Sequence, residues 1–379
     1  MVVHLTASSA NNASRILKES QTLNRLTGST TTIIGIQERN CVSNERITEG
    51  IEIVRYPKPF ESLPRGKIWS LIKLCAFFRE SARWIADYSP TTIIAHSILT
   101  LPGCIFAGER LRVPVIYDCH ELERGTISAS SGMWKFFTAW LEKTFLPKAS
   151  AVIVVNDSIA DWYENEYGFR PYVLKAYPDA RWQSVDSDKT KFRSKFGIPE
   201  DDIIFLYQGL LSKGRRVEQL IDVFEQAASD RHLVFMGYGE LEPLVREAAS
   251  RCSRIHFHEA VPPDQLLHYT TSADVGISGV ENTCLSYYYA LPNKIMEYIH
   301  AGIAVLSPDF PEMRKVVLEN KCGWVHEEST DSIRTQVNNL TKAEIAEKAA
   351  NSVVARSSLT WESQEHVLIE VVEKVMQVS

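Results

Sequence analysis

The sequence lacks the short patterns that mark several common kinds of protein. Its seven cysteines are scattered and form no Cys-x-x-Cys pair, which argues against a disulfide framework and against a structural zinc site. It contains neither a Gly-x-Ser-x-Gly elbow nor a Walker loop, and the stretch Gly237-Tyr-Gly239 lacks the third glycine of a dinucleotide fingerprint. No single motif therefore announces an activity, and the cysteine usage favours a reducing cytoplasm.

Long apolar runs and an excess of positive charge are missing as well. No segment approaches the roughly 18 uninterrupted apolar residues of a membrane-spanning helix. The first residues have the pattern of a β-strand, and they lack the basic region and long apolar run of a signal peptide. With 41 Lys and Arg against 47 Asp and Glu, the formal net charge of -6 argues against a nonspecific nucleic-acid binder. Any anionic ligand must therefore meet cations that are gathered locally.

What the sequence does contain is an alternation of short β-rich runs and longer helical patterns. Its 379 residues, 45% of them hydrophobic, suffice for two globular domains. This alternation predicts an α/β fold class, with two Rossmann-like, doubly wound domains that face a cleft. The pattern loosens after Lys175, and a last helix is expected over about Trp361–Met376. The predicted divisions are residues 1–176, 177–356 and 357–379.

A run of apolar residues leads into Gly209 and then into a basic loop. The loop holds Lys213, Gly214, Arg215 and Arg216, and an amphipathic helix follows it. Glycine lets the backbone approach a ligand closely, and an arginine guanidinium can bind two phosphate oxygens at once. We therefore interpret the loop as a phosphate site. An ordinary strand-to-helix turn with solvated basic residues is the alternative.

A second candidate site begins at Pro292. Proline is favoured at the first helical position, so the sequence predicts a helix that starts there, with Lys294 and Glu297 on one face. The free N–H groups of such a helix attract phosphate, Lys294 adds a positive charge, and Glu297 can bind ribose hydroxyls. The alternative is an ordinary helix with a solvated lysine and glutamate. Because this segment and the Gly209 loop both follow strands of one predicted sheet, we expect them to lie close together.

A third candidate follows the strand that ends at Asp118. His120 and Glu121 come next, in a loop at the carboxyl end of the strand, where polar groups are positioned for binding. His120 can donate a hydrogen bond or accept a proton near neutral pH. The alternative is that Asp118 caps a turn and that His120 has a structural role.

Two predicted helices carry aromatic and basic side chains together. This pattern suits either core packing or a membrane interface, and we favour core packing. The residues concerned are Lys67, Trp69, Lys73, Phe77, Phe78, Arg79 and Trp84 in one helix, and Trp134, Lys135, Phe136, Phe137, Trp140, Lys143 and Phe145 in the other.

Read together, these segments resemble a family four glycosyltransferase of the GT-B fold. The second half carries the strongest matches, in the family's order: the Gly209 loop with its basic residues, then Ala273–Ser278, Leu291–Ile299 and Ala301–Ser307. The Asp118–Glu121 loop is similar to the family's histidine loop. The start of the first helix, Asn12–Ile16, resembles the family's and would place Arg15 near the cleft. Trp361 begins what resembles the terminal helix that returns to the first domain.

The resemblance implies a retaining transfer of a sugar from a nucleotide diphosphate sugar, with no metal or other cofactor. It assigns the donor to the second domain and a glycan or lipid-linked acceptor to the first. Arg215 and Lys294 would neutralise the diphosphate, Glu297 would bind the ribose, and His120 would contact the donor sugar. The other implied site residues are Gly209, Lys213, Gly237 and Asn293 on the donor side, and Arg15, Asp118 and Glu121 on the acceptor side. The implied location is the cytoplasm, with peripheral contact at the inner membrane face as a candidate. The oligomeric state is left open.

Two positions depart from the family pattern. The family often pairs two glutamates eight positions apart, and Tyr289 stands where the first is expected. Leu210 stands where an arginine commonly follows the loop glycine, so Arg215 and Lys213 are left to meet the diphosphate. Two alternatives stay open. One is a nucleotide-sugar epimerase of similar architecture. The other, which these departures motivate, is a non-catalytic partner subunit that binds a sugar nucleotide.

Overall fold

The computed structural model of the protein describes residues 1–11, 13–39, 41–59, 64, 66–126, 132–184 and 188–378. Within these ranges, side chains are described at all positions except 67, 68, 133, 183, 184 and 378. Asn12, the first residue of the predicted first-helix motif, lies outside the described residues. Residue contacts divide the chain into two compact units, Met1–Ala176 with Gln364–Ser379, and Tyr177–Ser363. The segment that returns to the first unit thus starts at Gln364, later than the predicted residue 357.

The first unit is a mainly parallel β-sheet with helical connections. Its strands are β1 (Val2–Thr6), β2 (Thr31–Ile36), β3 (Asn44–Thr48), β4 (Ile51–Tyr56), β5 (Thr92–His96), β6 (Val115–Cys119), β7 (Ala151–Val154) and β8 (Tyr172–Val173). Its helices are α1 (Ser14–Thr27), α2 (Lys67–Ala86), α3 (Leu101–Leu111), α4 (Gly132–Phe145) and α5 (Asp157–Tyr167). The sheet order is β3-β4-β2-β1-β5-β6-β7-β8, and β3 pairs with β4 in the antiparallel sense.

The central strands of this sheet are buried along their whole length. Every residue of β1, β2, β5 and β6 is buried, which explains their apolar sequences and fits a parallel sheet covered on both faces. α1 ends before Gly28, whose φ of 68° is a left-handed conformation that glycine adopts without strain. Its buried face nonetheless includes the charged residues Arg15 and Glu19. Burial of charge at the start of a helix marks this region for closer attention.

The second unit is a fully parallel six-stranded sheet in the order β11-β10-β9-β12-β13-β14. Here β9 is Ile203–Leu210, β10 Arg231–Tyr238, β11 Ile255–Glu259, β12 Val275–Ile277, β13 Ala304–Pro308 and β14 Gly323–His326. The helices are α6 (Thr190–Phe196), α7 (Val217–Glu225), α8 (Glu242–Arg251), α9 (Leu266–Thr270), α10 (Leu285–Tyr288), α11 (Asn293–His300), α12 (Pro311–Glu319), α13 (Thr330–Asn339) and α14 (Lys342–Ala355). The last helix, α15 (Glu365–Val378), belongs to the first unit, where the Thr22 hydroxyl donates to Glu365 at 2.7 Å.

The strand order of each sheet reverses once, at β1 in the first unit and at β9 in the second. β1 lies between β2 and β5, and β9 lies between β10 and β12. In doubly wound folds, ligands bind beyond the carboxyl ends of the strands at such a reversal. The two sheets confirm the predicted α/β class and direct attention to these two places.

Two predicted helix starts are wrong. Pro292 has φ -65° and ψ 139°, which is extended, so it precedes α11 and Asn293 is the first helical residue. Trp361 lies in a short 3₁₀ turn, Trp361–Ser363, and its N–H donates to the Pro178 carbonyl at 2.8 Å. The 3₁₀ turn is therefore separate from α15, which begins at Glu365.

Candidate functional site

In the second unit, two glycines let the backbones of β9 and β10 approach each other closely. Gly209 has a φ of 112°, a conformation that residues with a Cβ atom adopt only with strain. Gly237 is its partner across the sheet, and a Cβ atom at 237 would lie 1.9 Å from the Gly209 carbonyl oxygen. A Cβ atom at 209 would lie 3.8 Å from the Nζ atom of Lys294. The glycines therefore leave bare backbone beside a cation, and the predicted meeting of the Gly209 loop with the Lys294 segment is confirmed.

Lys294 stands half-buried in the first turn of α11. Its Nζ atom lies 3.9 Å from the centroid of the Tyr207 ring, within the range of a cation–π contact. Burial and, to a smaller extent, the charge of Arg215 lower the pKa of Lys294 from 10.5 to about 7, and the charge of Glu297 opposes this shift. An anion placed beside this amine would stabilise its protonated form.

The two adjacent arginines of the loop have different roles. The Arg215 guanidinium lies 4.7 Å from the centroid of the Tyr287 ring, and its Nη2 atom donates to the Tyr287 hydroxyl at 3.4 Å. Arg216 is buried instead, and its Nε and Nη1 atoms donate to the carbonyls of Val280 at 3.1 Å and Glu328 at 2.9 Å. Arg216 therefore connects its own loop to two others by hydrogen bonds. Arg215 is the arginine whose charge acts on Lys294.

Glu297 is held by a side-chain relay that the sequence analysis missed. The Thr270 hydroxyl donates to Oε1 of Gln208 at 2.8 Å, which fixes the orientation of the amide, and Nε2 of Gln208 donates to the Glu297 carboxylate. Burial raises the pKa of Glu297, and both this hydrogen bond and Lys294 oppose the rise. The signal in the sequence was a single polar residue, Gln208, at the end of the apolar run of β9.

Tyr298, the residue after Glu297, inserts its hydroxyl between β9 and β12. The hydroxyl accepts the N–H of Gln208 at 3.2 Å and lies 3.1 Å from the carbonyl oxygens of both Leu206 and Ile277. Gly276 leaves room for the ring, because a Cβ atom there would lie 2.2 Å from it. At the point where the strand order reverses, the Tyr298 hydroxyl thus contacts backbone groups of β9 and β12 that would otherwise pair with each other.

The remaining predicted donor-side residues lie at the surface. Lys213 is exposed, and its backbone N–H donates to Glu240 at 3.3 Å. Asn293 is exposed at the first position of α11. Leu210 is also exposed, and Tyr289 immediately follows α10. The inner part of this cluster is therefore formed by the glycines, Lys294, Arg215 and Glu297.

In the first unit, Arg15 and Asp118 form a buried, two-pronged ion pair. Nε of Arg15 donates to Oδ2 of Asp118 at 2.9 Å, and Nη2 donates to Oδ1 at 2.7 Å. Nη1 donates to the Leu174 carbonyl at 2.8 Å. Burial alone would raise the pKa of Asp118, but the charge of Arg15 and the contacts with His120 and His96 hold it well below its usual range. Asp118 is therefore an ionised carboxylate inside the unit.

Three histidines extend this ion pair into a network. Nε2 of His120 lies 2.7 Å from Oδ2 of Asp118, and Nδ1 of His96 lies 3.1 Å from the same oxygen. Nδ1 of His4 lies 2.8 Å from Nε2 of His96. Burial lowers the pKa of His96 to about 4, so this ring is neutral. His120 thus contacts Asp118, and the sequence analysis missed His4 and His96, although each is a polar residue in an apolar strand.

Glu19 completes the buried part of the network. It lies 3.1 Å from Nε of Arg15, and burial raises its pKa well above the usual range. Two groups of side chains here place donor atoms close enough to suggest a metal, namely His4, Glu19 and His96, and His96, Asp118 and His120. The geometry fits hydrogen bonding better in both groups. Arg15 already contacts both oxygens of Asp118, and the His4 and His96 rings are nearly parallel at 7° with their nitrogens in N–H···N contact.

The acidic residue that anchors the histidine loop is Glu123, which the sequence analysis did not name. Glu121 is exposed, and its backbone carbonyl accepts from Sγ of Cys119 at 2.8 Å. Glu123 instead points inward, where Oε1 accepts the N–H of Ile98 at 2.8 Å, and burial raises the pKa of Glu123 to about 8. Glu123 therefore fixes the loops after β5 and β6 to each other.

Comparison with known families covers most of the chain. The model described as Glycosyl transferase 4-like domain matches residues 27–178, and the model described as Glycosyl transferases group 1 matches residues 188–356. A curated relative is TuaC of Bacillus subtilis (strain 168), a glycosyltransferase assigned to teichuronic acid biosynthesis, which is 22% identical over 226 residues. That match spans 59% of this chain and about half, 54%, of the relative.

Solved structures resemble the chain over nearly its full length. Sucrose-phosphate synthase from Thermosynechococcus elongatus has a TM-score of 0.80 at 16% identity, covering 100% of this chain and 99% of that one. HepE of Anabaena, in complex with UDP-glucose, has a TM-score of 0.71 at 14% identity, covering 98% of this chain and 99% of that one. At these identities the likeness establishes the fold, and the two family models establish the family. The chain belongs to the glycosyltransferases of the GT-B fold that join a glycosyl transferase 4-like domain to a group 1 domain.

Proposed function

We propose that the protein is a retaining glycosyltransferase that moves a sugar from a nucleotide diphosphate sugar to a glycan or lipid-linked acceptor. The observation that carries this proposal is the cluster at the reversal of the second sheet. There Lys294 lies beside the bare backbone of Gly209 and is close enough to Arg215 for the two charges to interact, and Glu297 is anchored by Gln208. Family membership supports the same activity, and the UDP-glucose in the HepE structure supports this class of donor. We assign the donor nucleotide to the second unit and the acceptor to the first.

In the proposed reaction, the bond between the anomeric carbon and the diphosphate oxygen breaks. The acceptor hydroxyl oxygen forms a bond on the same face of that carbon, so the anomeric configuration is kept. The electron pair of the broken bond stays with the diphosphate, whose charge Lys294 and Arg215 stabilise. The acceptor proton passes to an oxygen of the leaving diphosphate. His120 contacts the donor sugar, and no protein nucleophile is needed.

A panel of nucleotide diphosphate sugars tests this proposal. A bound donor stabilises the native protein by mass action, so the correct donor should raise the melting temperature and others should not. Turnover with that donor and a glycan acceptor should give a product with the anomeric configuration of the donor, read by NMR. A product of inverted configuration would contradict the retaining assignment, and the absence of any stabilising donor would contradict the function itself.

Two controls address the alternative functions. An epimerase would consume the donor without an acceptor, so the donor incubated alone should stay unchanged if the proposal holds. A non-catalytic partner subunit would bind the donor by calorimetry and show no turnover against any acceptor. The match of residues 188–356 to the group 1 glycosyltransferase model favours transfer over both.

We extend the proposal to peripheral contact with an anionic membrane surface on the cytoplasmic side. Phe136 and Trp140 of α4 are 76% and 55% exposed, and the neighbouring Lys135 and Lys143 are exposed as well. The acid of this helix, Glu142, is buried. Core packing accounts for other members of the aromatic pattern, because Phe78, Trp84 and Phe145 are buried. Among the described residues, no helix has the length and hydrophobicity to cross a bilayer, so the contact would be superficial.

Sedimentation with lipid vesicles tests this extension. The protein should sediment with vesicles that contain anionic lipid and less with purely zwitterionic vesicles, since lysines add an electrostatic attraction. The double variant Phe136→Ser with Trp140→Ser should lose most of this binding. Val354→Ser, which changes an apolar residue of α14 that is 72% exposed, is the matched control and should bind as the wild type does. Equal sedimentation of all three proteins would contradict the contact.

A further inference from the structure

A row of hydrogen-bonded side chains crosses three neighbouring strands of the first unit. His4 lies in β1, His96 at the end of β5 and Asp118 in β6, and all three are buried. The row ends at His120, whose side chain is 38% exposed. Apart from His120, the members of this row have no part in the reaction described above, so their burial requires its own explanation.

The contacts along the row fix where each proton lies. Asp118 is ionised and can only accept, so its Oδ2 atom receives hydrogen bonds from Nδ1 of His96 and from Nε2 of His120. With its proton on Nδ1, neutral His96 must accept at Nε2, and Nδ1 of His4 is the donor 2.8 Å away. The 3.0 Å separation between Nδ1 of His96 and Nε2 of His120 is then the spacing of two donors that share one oxygen. This assignment of protons gives a donor and an acceptor to each of the three contacts that link His4, His96, Asp118 and His120, and leaves Nε2 of His4 without a described partner.

The charge of Asp118 is already matched before His120 contributes anything. Arg15 contacts both carboxylate oxygens, at 2.9 Å and 2.7 Å. The hydrogen bond from His120 to Asp118 therefore needs no positive charge on the imidazole. A neutral His120 with its proton on Nε2 carries a lone pair on Nδ1, and a hydroxyl group can donate to that atom.

We propose that His96 is a positioning residue for His120. By sharing Oδ2 of Asp118, His96 holds the carboxylate in the orientation that keeps the His120 proton on Nε2 and presents Nδ1 as an acceptor for a hydroxyl group of the sugar substrate. His4 supports this arrangement because its N–H allows His96 a single tautomer. The effect on turnover rests on the proposed transferase function, whereas the positions of the protons do not.

Histidine NMR of the full chain tests the proton positions without reference to activity. In ¹⁵N-labelled wild-type protein, long-range proton–nitrogen correlations distinguish a ring protonated on Nε2 from one protonated on Nδ1. The signal of His120 is identified by its loss in His120→Gln. We expect the Nε2–H form for His120 and the Nδ1–H form for both His96 and His4. A neutral His120 protonated on Nδ1 would overturn the proposal.

A pair of variants at His96 tests the consequence for catalysis. In His96→Asn, the side-chain NH₂ replaces the Nδ1 donor to Asp118, whereas His96→Leu removes the donor and keeps similar bulk. We expect kcat to fall about tenfold or more in His96→Leu and to stay within about threefold in His96→Asn, with KM for the donor within about twofold in both. An equal loss of kcat in both variants, or a loss expressed in KM, would contradict a positioning role. If His96→Leu does not fold, the wild-type tautomer of His120 and the rate of His96→Asn still decide the matter.

Two outcomes separate this inference from the proposed function. A His120→Ala variant with wild-type turnover would remove His120 from the reaction and leave the proton positions standing. A wild-type protein that turns over no donor, but shows the expected tautomers, would contradict only the transferase activity. A His120 proton on Nδ1 in an active enzyme would contradict only the role of His96.

Discussion

Lys294 places its Nζ atom 3.9 Å from the centroid of the Tyr207 ring, so this cation lies against an aromatic face. Arg215 lies 4.7 Å from the centroid of the Tyr287 ring in the same way. A ring attracts a cation through its quadrupole but carries no net negative charge. The rings thus position the two cations without neutralising them, so that both charges can interact with a diphosphate.

Nucleotide diphosphate binding should weaken as the pH rises above 7. Without a ligand, the amine of Lys294 has a pKa of about 7, because burial disfavours its charged form. A bound diphosphate would raise that pKa again. At pH 6 the amine is already protonated, whereas at pH 8 most molecules must take up a proton on binding. We expect affinity to fall about tenfold between these values, with uptake of a proton near pH 8 in calorimetry with buffers of different ionisation enthalpy. Lys294→Arg, whose guanidinium stays charged, should flatten the profile to that of the ligand itself.

Lys294→Ala should weaken binding of a nucleoside diphosphate more than binding of the corresponding nucleoside. In the proposed site, Lys294 interacts with the charged phosphates, whereas Glu297 binds the ribose. A loss of about tenfold or more for the diphosphate, with less than about twofold for the nucleoside, is the expected pattern by calorimetry. Unchanged binding of both ligands would remove Lys294 from the donor site.

Gln208→Leu should reduce the ability of the site to distinguish ribose from 2′-deoxyribose. Without the amide, Glu297 loses the hydrogen bond that orients its carboxylate, and the Thr270 hydroxyl keeps only the Leu266 carbonyl as an acceptor. We expect a loss of a few-fold in affinity for the ribonucleotide and almost none for the deoxyribonucleotide. Thr270→Val, which removes only the outer contact, should give a smaller change in the same direction. Equal losses for both nucleotides would show that Gln208 does not act through Glu297.

Arg15→Leu should destabilise the protein strongly. It leaves the Asp118 carboxylate buried without its guanidinium, and breaking a buried pair typically costs about 3–5 kcal/mol. The double variant with Asp118→Asn should lose less than the sum of the two single variants, because the uncompensated charge is gone. Arg25→Leu, which breaks the more exposed pair with Glu365, is the control, and we expect it to cost under about 1 kcal/mol. Urea unfolding measures the free energy of unfolding of these four variants and of the wild type. Similar losses for Arg15→Leu and Arg25→Leu would contradict the expectation.

The parts of the site that the sequence predicts lie at fixed offsets from a strand end or a helix start. Gly209 closes an apolar strand, Lys294 and Glu297 share one face of a helical turn, and His120 follows the strand of Asp118. Such relations are local, so periodicity and turn chemistry are enough to find them. The same reasoning placed Pro292 inside the helix, because the φ of proline suits both the first helical position and the extended residue before it.

The missing parts are contacts between distant segments. Gln208 and Thr270 are 62 positions apart, and His4 and His96 are 92 apart. They meet only because β1 lies beside β5 and because α9 returns to the edge of β9, which no local pattern reveals. The basic pattern of the loop also did not separate Arg215 from Arg216, and only the family resemblance favoured Arg215. The φ of 54° at Arg216 turns its side chain back toward the Val280 carbonyl, and that is a property of the folded loop.

The position of Tyr298 makes the geometry of the proposed donor site depend on the stability of one helix, α11. The residue that separates β9 from β12 sits on α11, next to Glu297 and one turn after Lys294. If α11 detaches, the separation, the cation and the carboxylate are lost in one step, so the site has no partly formed state. Amide protons of α11 and of the adjoining end of β9 should therefore exchange with solvent as one cooperative group, and a bound nucleotide should slow them by a common factor set by its free concentration relative to Kd.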